Sequence, residues 1–212
     1  WLSSKIQQLK IAKFDNCWIP DVEEYPNLSG ELGHLSNTTL PIKYIGAISR
    51  FNKVKSKKKY DLMVLLSGPE PQRTLLEKLL LNEIKNYKGK ILFIKGIIDS
   101  KQQTIKRDHI ILVNFMQTQE LETAISESDA IIARSGYTTI LDLAKMEKKA
   151  FFIPTPGQFE QEYLAKRLEK NGIAPYSTQD NFNINELKRI KEYSGFKKLN
   201  YDTNYKDLFR LF

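Results

Sequence analysis

The residues best suited to chemistry lie in one short stretch, Ala133-Arg134-Ser135-Gly136-Tyr137-Thr138-Thr139. It concentrates hydroxyls around a glycine, and an acid, Asp142, follows three positions later. Asp129-Ala130-Ile131-Ile132 precedes it as a short apolar run, and Ile140-Leu141-Asp142-Leu143-Ala144-Lys145-Met146 follows with apolar positions at helical spacing. A strand is therefore expected to run into a helix through a tight Ser-Gly turn. The first amides of a helix lack partners within it and carry a partial positive charge. Gly136 lets a ligand approach the backbone, so the turn suits a phosphate or diphosphate. An ordinary N-cap at Ser135 accounts for the same residues, and the rest of the chain has to decide between the two.

The elements that must position this turn repeat along the chain. Leu62-Met63-Val64-Leu65-Leu66 is a continuous apolar run, as expected of a strand buried on both faces, and Ser67-Gly68-Pro69 breaks it. Leu75, Leu76, Leu79, Leu80 and Ile84 form a helical stripe. Lys90 to Ile94 and His109 to Val113 read as strands, separated by a polar connection from Asp99 to Arg107. A helix carrying Leu121, Ala124 and Ile125 comes next, then the Ala130 strand and the helix described above. Ala150 to Pro154 is a further strand, Glu160 to Lys170 a helix closed at Asn171-Gly172, Ile173-Ala174-Pro175 a last short strand, and Ile184, Leu187 and Ile190 a final helix. Up to Gly46 the pattern is weaker. Residues 1 to 13 have helical spacing, Asn16 to Pro20 and Pro41 to Gly46 are short extended runs, and 21 to 40 are loop-like.

Strands alternating with helices imply an α/β fold with a Rossmann-like, doubly wound parallel sheet. Ligands of such sheets bind beyond the carboxyl ends of the strands, near a topological switch point. That rule draws together Ser67-Gly68, Asn114-Phe115-Met116, Ser135-Gly136 and Pro154-Thr155-Pro156-Gly157, each of which follows an expected strand.

Composition narrows the classes. A single cysteine, Cys17, excludes an intrachain disulfide and a cysteine metal cluster, and two histidines, His34 and His109, argue against a histidine metal site. No run approaches the roughly 20 apolar residues of a membrane helix. The net charge of +8 favours anionic partners. Part of it is concentrated in Lys53, Lys55, Lys57, Lys58 and Lys59, which reads either as a solvated loop or as a contact for an anionic membrane. No aromatic residue interleaves with these lysines before Tyr60, so no nucleic-acid partner is expected.

Asp129-Ala-Ile-Ile-Ala-Arg-Ser-Gly-Tyr-Thr-Thr-Ile-Leu-Asp-Leu-Ala144, then Phe151-Phe-Ile-Pro-Thr-Pro156, Gln161-Glu-Tyr-Leu-Ala165 and Gly172-Ile-Ala174 resemble the donor-binding half of GT-B glycosyltransferases, specifically the MurG-like enzymes of family 28. The resemblance runs from about Ile42 to Asn183. It implies that Ser135, Gly136, Tyr137, Thr138 and Thr139 hold the donor diphosphate. Asp142 stands where a longer glutamate usually holds the ribose hydroxyls. Tyr137 occupies a position that is small in many relatives. Gln161 matches a glutamine that contacts the donor sugar, with Glu162 where Gln or Asn is common. Arg50, in Gly46-Ala47-Ile48-Ser49-Arg50, matches an arginine able to approach the diphosphate. Ser67-Gly68 resembles a Gly-Gly-Ser turn whose first glycine is here Leu66. Phe115-Met116 matches the strand end whose backbone reads the uracil edge.

The resemblance further implies residues 1–45 as the end of a preceding acceptor domain and its linker, and 46–212 as the nucleotide-sugar-binding domain. A UDP-sugar donor, an acceptor domain outside this chain, a cytoplasmic place and chemistry without metal or cofactor follow from it, and the lysine run alone suggests a peripheral place at the inner membrane face. No catalytic base is assigned. The rivals are a nucleotide-sugar-binding subunit that needs a separate acceptor-domain partner, and a UDP-sugar 2-epimerase, for which the loops offer no histidine.

Overall fold

The computed structural model describes residues 11, 13–34 and 41–196. The expected N-terminal helix falls almost wholly outside them. The described chain divides into two compact units, one ending at Ile48 and one beginning at Ser49.

In the first unit, β1 (Cys17–Ile19) pairs in parallel with β2 (Ile42–Tyr44), Cys17 opposite Ile42. The loop between them is organised by Asp21, a fully buried carboxylate. It accepts hydrogen bonds from the amides of Val22 (2.8 Å), Leu28 (3.1 Å) and Ser29 (2.7 Å) and from the Ser29 hydroxyl (2.6 Å). Those donors satisfy a charge that burial would otherwise penalise.

The second unit is a six-stranded sheet. Its strands are β3 (Tyr60–Leu65), β4 (Ile91–Ile94), β5 (Thr104–Arg107), β6 (Ile110–Val113), β7 (Ser128–Ala133) and β8 (Lys149–Phe152), in the order β5-β6-β4-β3-β7-β8. All pairs are parallel except β5–β6. The polar connection expected from Asp99 to Arg107 thus contains a strand. All four β5 residues are exposed, so no apolar alternation marks it, and backbone pairing alone places it. Ile173–Pro175 does not form the expected last strand. Phe152 makes only an isolated bridge to Tyr176, with Phe152 N donating to Pro175 O.

Helices cover both faces. α1 (Gln72–Glu83) and a 3₁₀ helix (Ile184–Glu192) pack on one face, where Leu76, Leu80, Ile84 and Ile190 meet Leu62, Val64, Ile91, Phe93, Ile132 and Phe151. The expected last helix is of the 3₁₀ type. In α1, Leu75 is 46% exposed and does not join the inward stripe, while Arg73 and Glu77 are buried as an ion pair at 2.7 Å. The intervening strand residues Met63, Leu92, Ile131 and Phe152 are equally buried and point the other way. That face is covered by α2 (Thr118–Ser126), α3 (Tyr137–Lys145) and α4 (Phe159–Lys170), through Leu121, Ile125, Ile140, Leu143, Leu164 and Leu168. Gly172, with φ +65°, closes α4 as expected. From β3 the chain moves outward through β4 to β6, then returns to the other side of β3 through β7 and β8. The switch point therefore lies between the carboxyl ends of β3 and β7. Among the described residues no helix is long and apolar enough to cross a membrane.

Candidate functional site

A cavity of about 350 Å³ opens at the switch point. Seven of the sequence-derived candidates line it: Arg50, Ser67, Gly68, Phe115, Met116, Thr139 and Asp142. They come from three loops and from α3. Thr139 and Asp142 are three residues apart and so share a helix face. Leu65, Ile94, Leu121, Ile125 and Leu143 make the apolar floor. Among the described residues, Arg50 and Asp142 are the only ionisable ones of the lining.

Asp142 is half-buried, and burial raises its carboxyl pKa above the usual value. Two neighbours act in the opposite direction: a hydrogen bond from Ser49 Oγ to Oδ1 at 2.6 Å, and the positive charge of Arg50. Arg50 is exposed and stacks its guanidinium 4.8 Å from the ring centroid of buried Phe51. The far wall of the cavity is the turn after β4. There Gly96 has φ +69°, and a Cβ would stand 2.3 Å from the carbonyl oxygen of Leu66, so only glycine lets this turn close against the end of β3. Gly96 and the exposed Ile98 are part of the lining, and neither carries a polar side chain that sequence reading could have flagged.

The Ser-Gly turn has the expected strand-to-helix geometry, with a different use of its serine. The cap of α3 is Gly136, and it makes no side-chain cap hydrogen bond. Ser135 is fully buried, and its hydroxyl donates to the carbonyl of Gln161 at 2.7 Å, tying the turn to α4. The simple N-cap reading of Ser135 is therefore not what the structure contains. Gly136 sits at φ −67°, a conformation open to any residue, and a Cβ there would meet nothing within 4 Å. The space in front of the helix start is empty of protein at that point. Thr138 is exposed, and Tyr137 and Thr139 are partly buried.

The turn is held from below by Arg134, which is 2% exposed. Its guanidinium donates to the carbonyls of Ile153 (3.0 Å), Pro154 (2.9 Å) and Gln72 (3.0 Å) and to Gln179 Oε1 (2.8 Å). One side chain thus joins the ends of β7 and β8 to the start of α1. Burial lowers its pKa to about 10, still charged at neutral pH.

Gln161 and Glu162 do not line this cavity. Gln161 Oε1 accepts from the Thr155 amide at 2.9 Å and its Nε2 donates to Gln158 at 2.6 Å. Glu162 Oε1 accepts from the Gly157 amide at 3.1 Å and lies on a second cavity of about 330 Å³ with Lys166, Tyr176 and Gln179. Both side chains brace the 154–158 loop. Phe115 has both main-chain groups engaged as well, its amide with Asn114 Oδ1 (3.0 Å) and its carbonyl with Gln102 Nε2 (2.9 Å). A base edge would have to use the second lone pair of that carbonyl or the main chain of Met116. The histidines are elsewhere. His109 Nε2 lies 3.5 Å from Ile84 O, and His34 sits in the first unit, stacked on Tyr44.

Ser49 and Phe51 were not singled out from sequence. The adjacency of Ser49 to Arg50 is the one signal that pointed there.

Comparison with known proteins bears on the family and the fold. The chain is 26% identical over 215 residues to the UDP-N-acetylglucosamine--N-acetylmuramyl-(pentapeptide) pyrophosphoryl-undecaprenol N-acetylglucosamine transferase of Buchnera aphidicola subsp. Acyrthosiphon pisum (strain Tuc7), covering 91% of this chain and 59% of that protein. The protein of the same name from Natranaerobius thermophilus is 36% identical over 78 residues, 36% of this chain and 21% of the relative. The chain thus spans less than two thirds of the length of the curated relatives it matches. Among solved structures, the glycosyltransferase SnogD from Streptomyces nogalater superposes with a TM-score of 0.51 at 14% identity, over 74% of this chain and 43% of that one. An NMR structure of ALG13 superposes at 0.50 and 14% identity, over 66% and 90% respectively. These superpositions identify the fold as that of the GT-B carboxyl-terminal half. The Glycosyltransferase family 28 C-terminal domain matches residues 69–205, well over half of the chain, and the chain belongs to that family.

Proposed function

We propose that this chain is the donor-binding half of a glycosyltransferase, that the cavity at the β3–β7 switch point takes a UDP-sugar, and that the sugar is an N-acetylhexosamine. The observation that carries the reading is the convergence of Arg50, Thr139 and Asp142 on one concave site beside the head of α3. The nucleoside lies over the apolar floor, its ribose toward Asp142. The diphosphate lies at the Gly136–Thr139 turn, where helix amides and Arg50 stabilise the charge that the leaving diphosphate gains as the glycosidic bond breaks. Residues 1–45 then belong to the acceptor domain and linker, residues 46–212 to the donor domain, and the acceptor hydroxyl and catalytic base come from outside this chain.

Calorimetry with UDP, UDP-N-acetylglucosamine and UDP-glucose tests this. Micromolar to millimolar binding of the UDP species supports it, and a folded protein that binds none of them refutes it. Preference for the N-acetylated sugar supports the narrower assignment.

A cytoplasmic enzyme working on a lipid-linked acceptor at the inner membrane face suits the net charge and the Lys53–Lys59 run. Sedimentation with anionic but not neutral vesicles is the expected result, and equal binding to both, or to neither, removes the membrane from the reading.

A second reading, a nucleotide-sugar-binding subunit completed by a separate acceptor-domain chain, draws support from the ALG13 structure, 90% of which is covered by this fold. An upstream coding region in frame with an acceptor-domain sequence favours the single-chain enzyme. A start codon directly before Trp1 favours the subunit.

A further inference from the structure

Ser49 reaches across 93 positions of sequence to Asp142. Its hydroxyl donates to Oδ1 at 2.6 Å and accepts the Phe51 amide at 3.0 Å. A serine hydroxyl has one donor, so these two contacts fix its rotation. Phe51, 1% exposed, anchors the loop that carries it. The carboxylate is thereby held at one oxygen from outside the cavity, and no described residue is found donating to Oδ2. Among the described residues, Arg50 is the only other ionisable group of the lining and faces the same carboxylate.

An aspartate pinned in this way presents one free oxygen and the remaining lone pair of the other toward the cavity. That pattern of acceptors matches a pair of adjacent hydroxyl donors. In a nucleotide sugar the ribose and the hexose carry such pairs, whereas the phosphates carry acceptors only, and the ribose is the one that the proposed binding mode sets beside Asp142. We propose that Ser49 is the positioning residue that makes Asp142 a reader of a vicinal ribose diol, and that it sets the selectivity of the site for ribonucleotides. The proposal rests on the reading of this cavity as the nucleotide site.

The test compares UDP with 2′,3′-dideoxy-UDP by calorimetry on the 212-residue protein and its Ser49→Ala, Ser49→Thr and Asp142→Asn variants. Wild type binds UDP more tightly than the dideoxy compound. Ser49→Ala weakens UDP about tenfold, the scale of one hydrogen bond to a charged group, and leaves the dideoxy compound within about twofold. Ser49→Thr, which keeps the hydroxyl, restores most of the difference. In the Asp142→Asn background Ser49→Ala adds nothing, as two residues acting through one contact require.

Equal losses for both ligands in Ser49→Ala overturn the proposal and leave the nucleotide site standing, since Ser49 would then only shape the loop. Equal affinity of wild type for both ligands also overturns it, because no diol is being read. Binding of neither ligand overturns the site itself and the proposal with it. Should Ser49→Ala fail to fold, Ser49→Cys, similar in size and a weak donor, carries the same comparison.

Discussion

Two polar stretches stand out in this chain, and the structure puts them to opposite uses. The Lys53–Lys59 run lies toward the amino ends of the strands. Lys53 pairs with Glu147. Lys58 pairs with Asp61 at 3.0 Å and with Asp129, and Lys59 with Glu127 at 3.6 Å. Three of its five charges are matched by acids of the same unit. At the carboxyl ends, Thr139 and Asp142 meet a cavity whose described lining holds one cation and one anion, and burial raises the carboxyl pKa of that anion. Density of charge in sequence therefore did not distinguish a site from a surface. What distinguishes them is bonding capacity left unspent in a concave place, at an energetic cost that a bound partner can offset.

The contrast can be broken at several points. The largest effect belongs to Gly136→Leu. The backbone there accepts any residue and a side chain would extend into empty space, so circular dichroism and the melting temperature should match wild type while UDP binding disappears from calorimetry. If binding survives, the diphosphate is not at this turn. Asp142→Ala should weaken UDP about ten- to hundredfold, the cost of about 1.5–3 kcal/mol for hydrogen bonds to a charged group.

Acidification should act on the same carboxylate more gradually. Because its pKa is raised, Asp142 protonates at a higher pH than an exposed aspartate, and UDP affinity falls as pH drops through that value. Asp142→Asn should flatten this limb. The sign for stability is the reverse: folding disfavours the ionised form, so at neutral pH Asp142→Asn should raise the melting temperature slightly while impairing binding. The smallest effect is expected from Lys58→Ala with Lys59→Ala, which removes three exposed ion pairs of little net worth. Both melting temperature and UDP affinity should stay at wild-type values, and a clear loss of UDP binding would erase the distinction between the two ends.

Most of the sheet was legible because its strands are buried on both faces and read as unbroken apolar runs, Leu62–Leu66 and Ile91–Ile94 being the plainest. β5 was hidden because Thr104-Ile105-Lys106-Arg107 has no buried residue, and a strand held only by its backbone leaves no periodic trace. The site was legible where a side chain's type implied its task, as with Arg50, Thr139 and Asp142. It was illegible where the task depended on a partner far along the chain. Ser135 looked like a cap and turned out to be a tie to Gln161, and Ser49 looked like nothing until Asp142 stood 2.6 Å away. Arg134 falls between these cases: its place in the strand-to-helix turn is legible, but its four acceptors lie on three other segments.

The exposed hairpin strand has one more consequence. A parallel sheet ending at β6 would offer its unpaired amides and carbonyls to any extended chain it met. β5 occupies that rim, and it carries the exposed Lys106 and Arg107 just before the Asp108 turn that returns the chain to β6. Positive charge on an edge strand discourages a further strand from adding. A segment that contributes nothing to the core thus guards the protein against stacking edge to edge with its own copies.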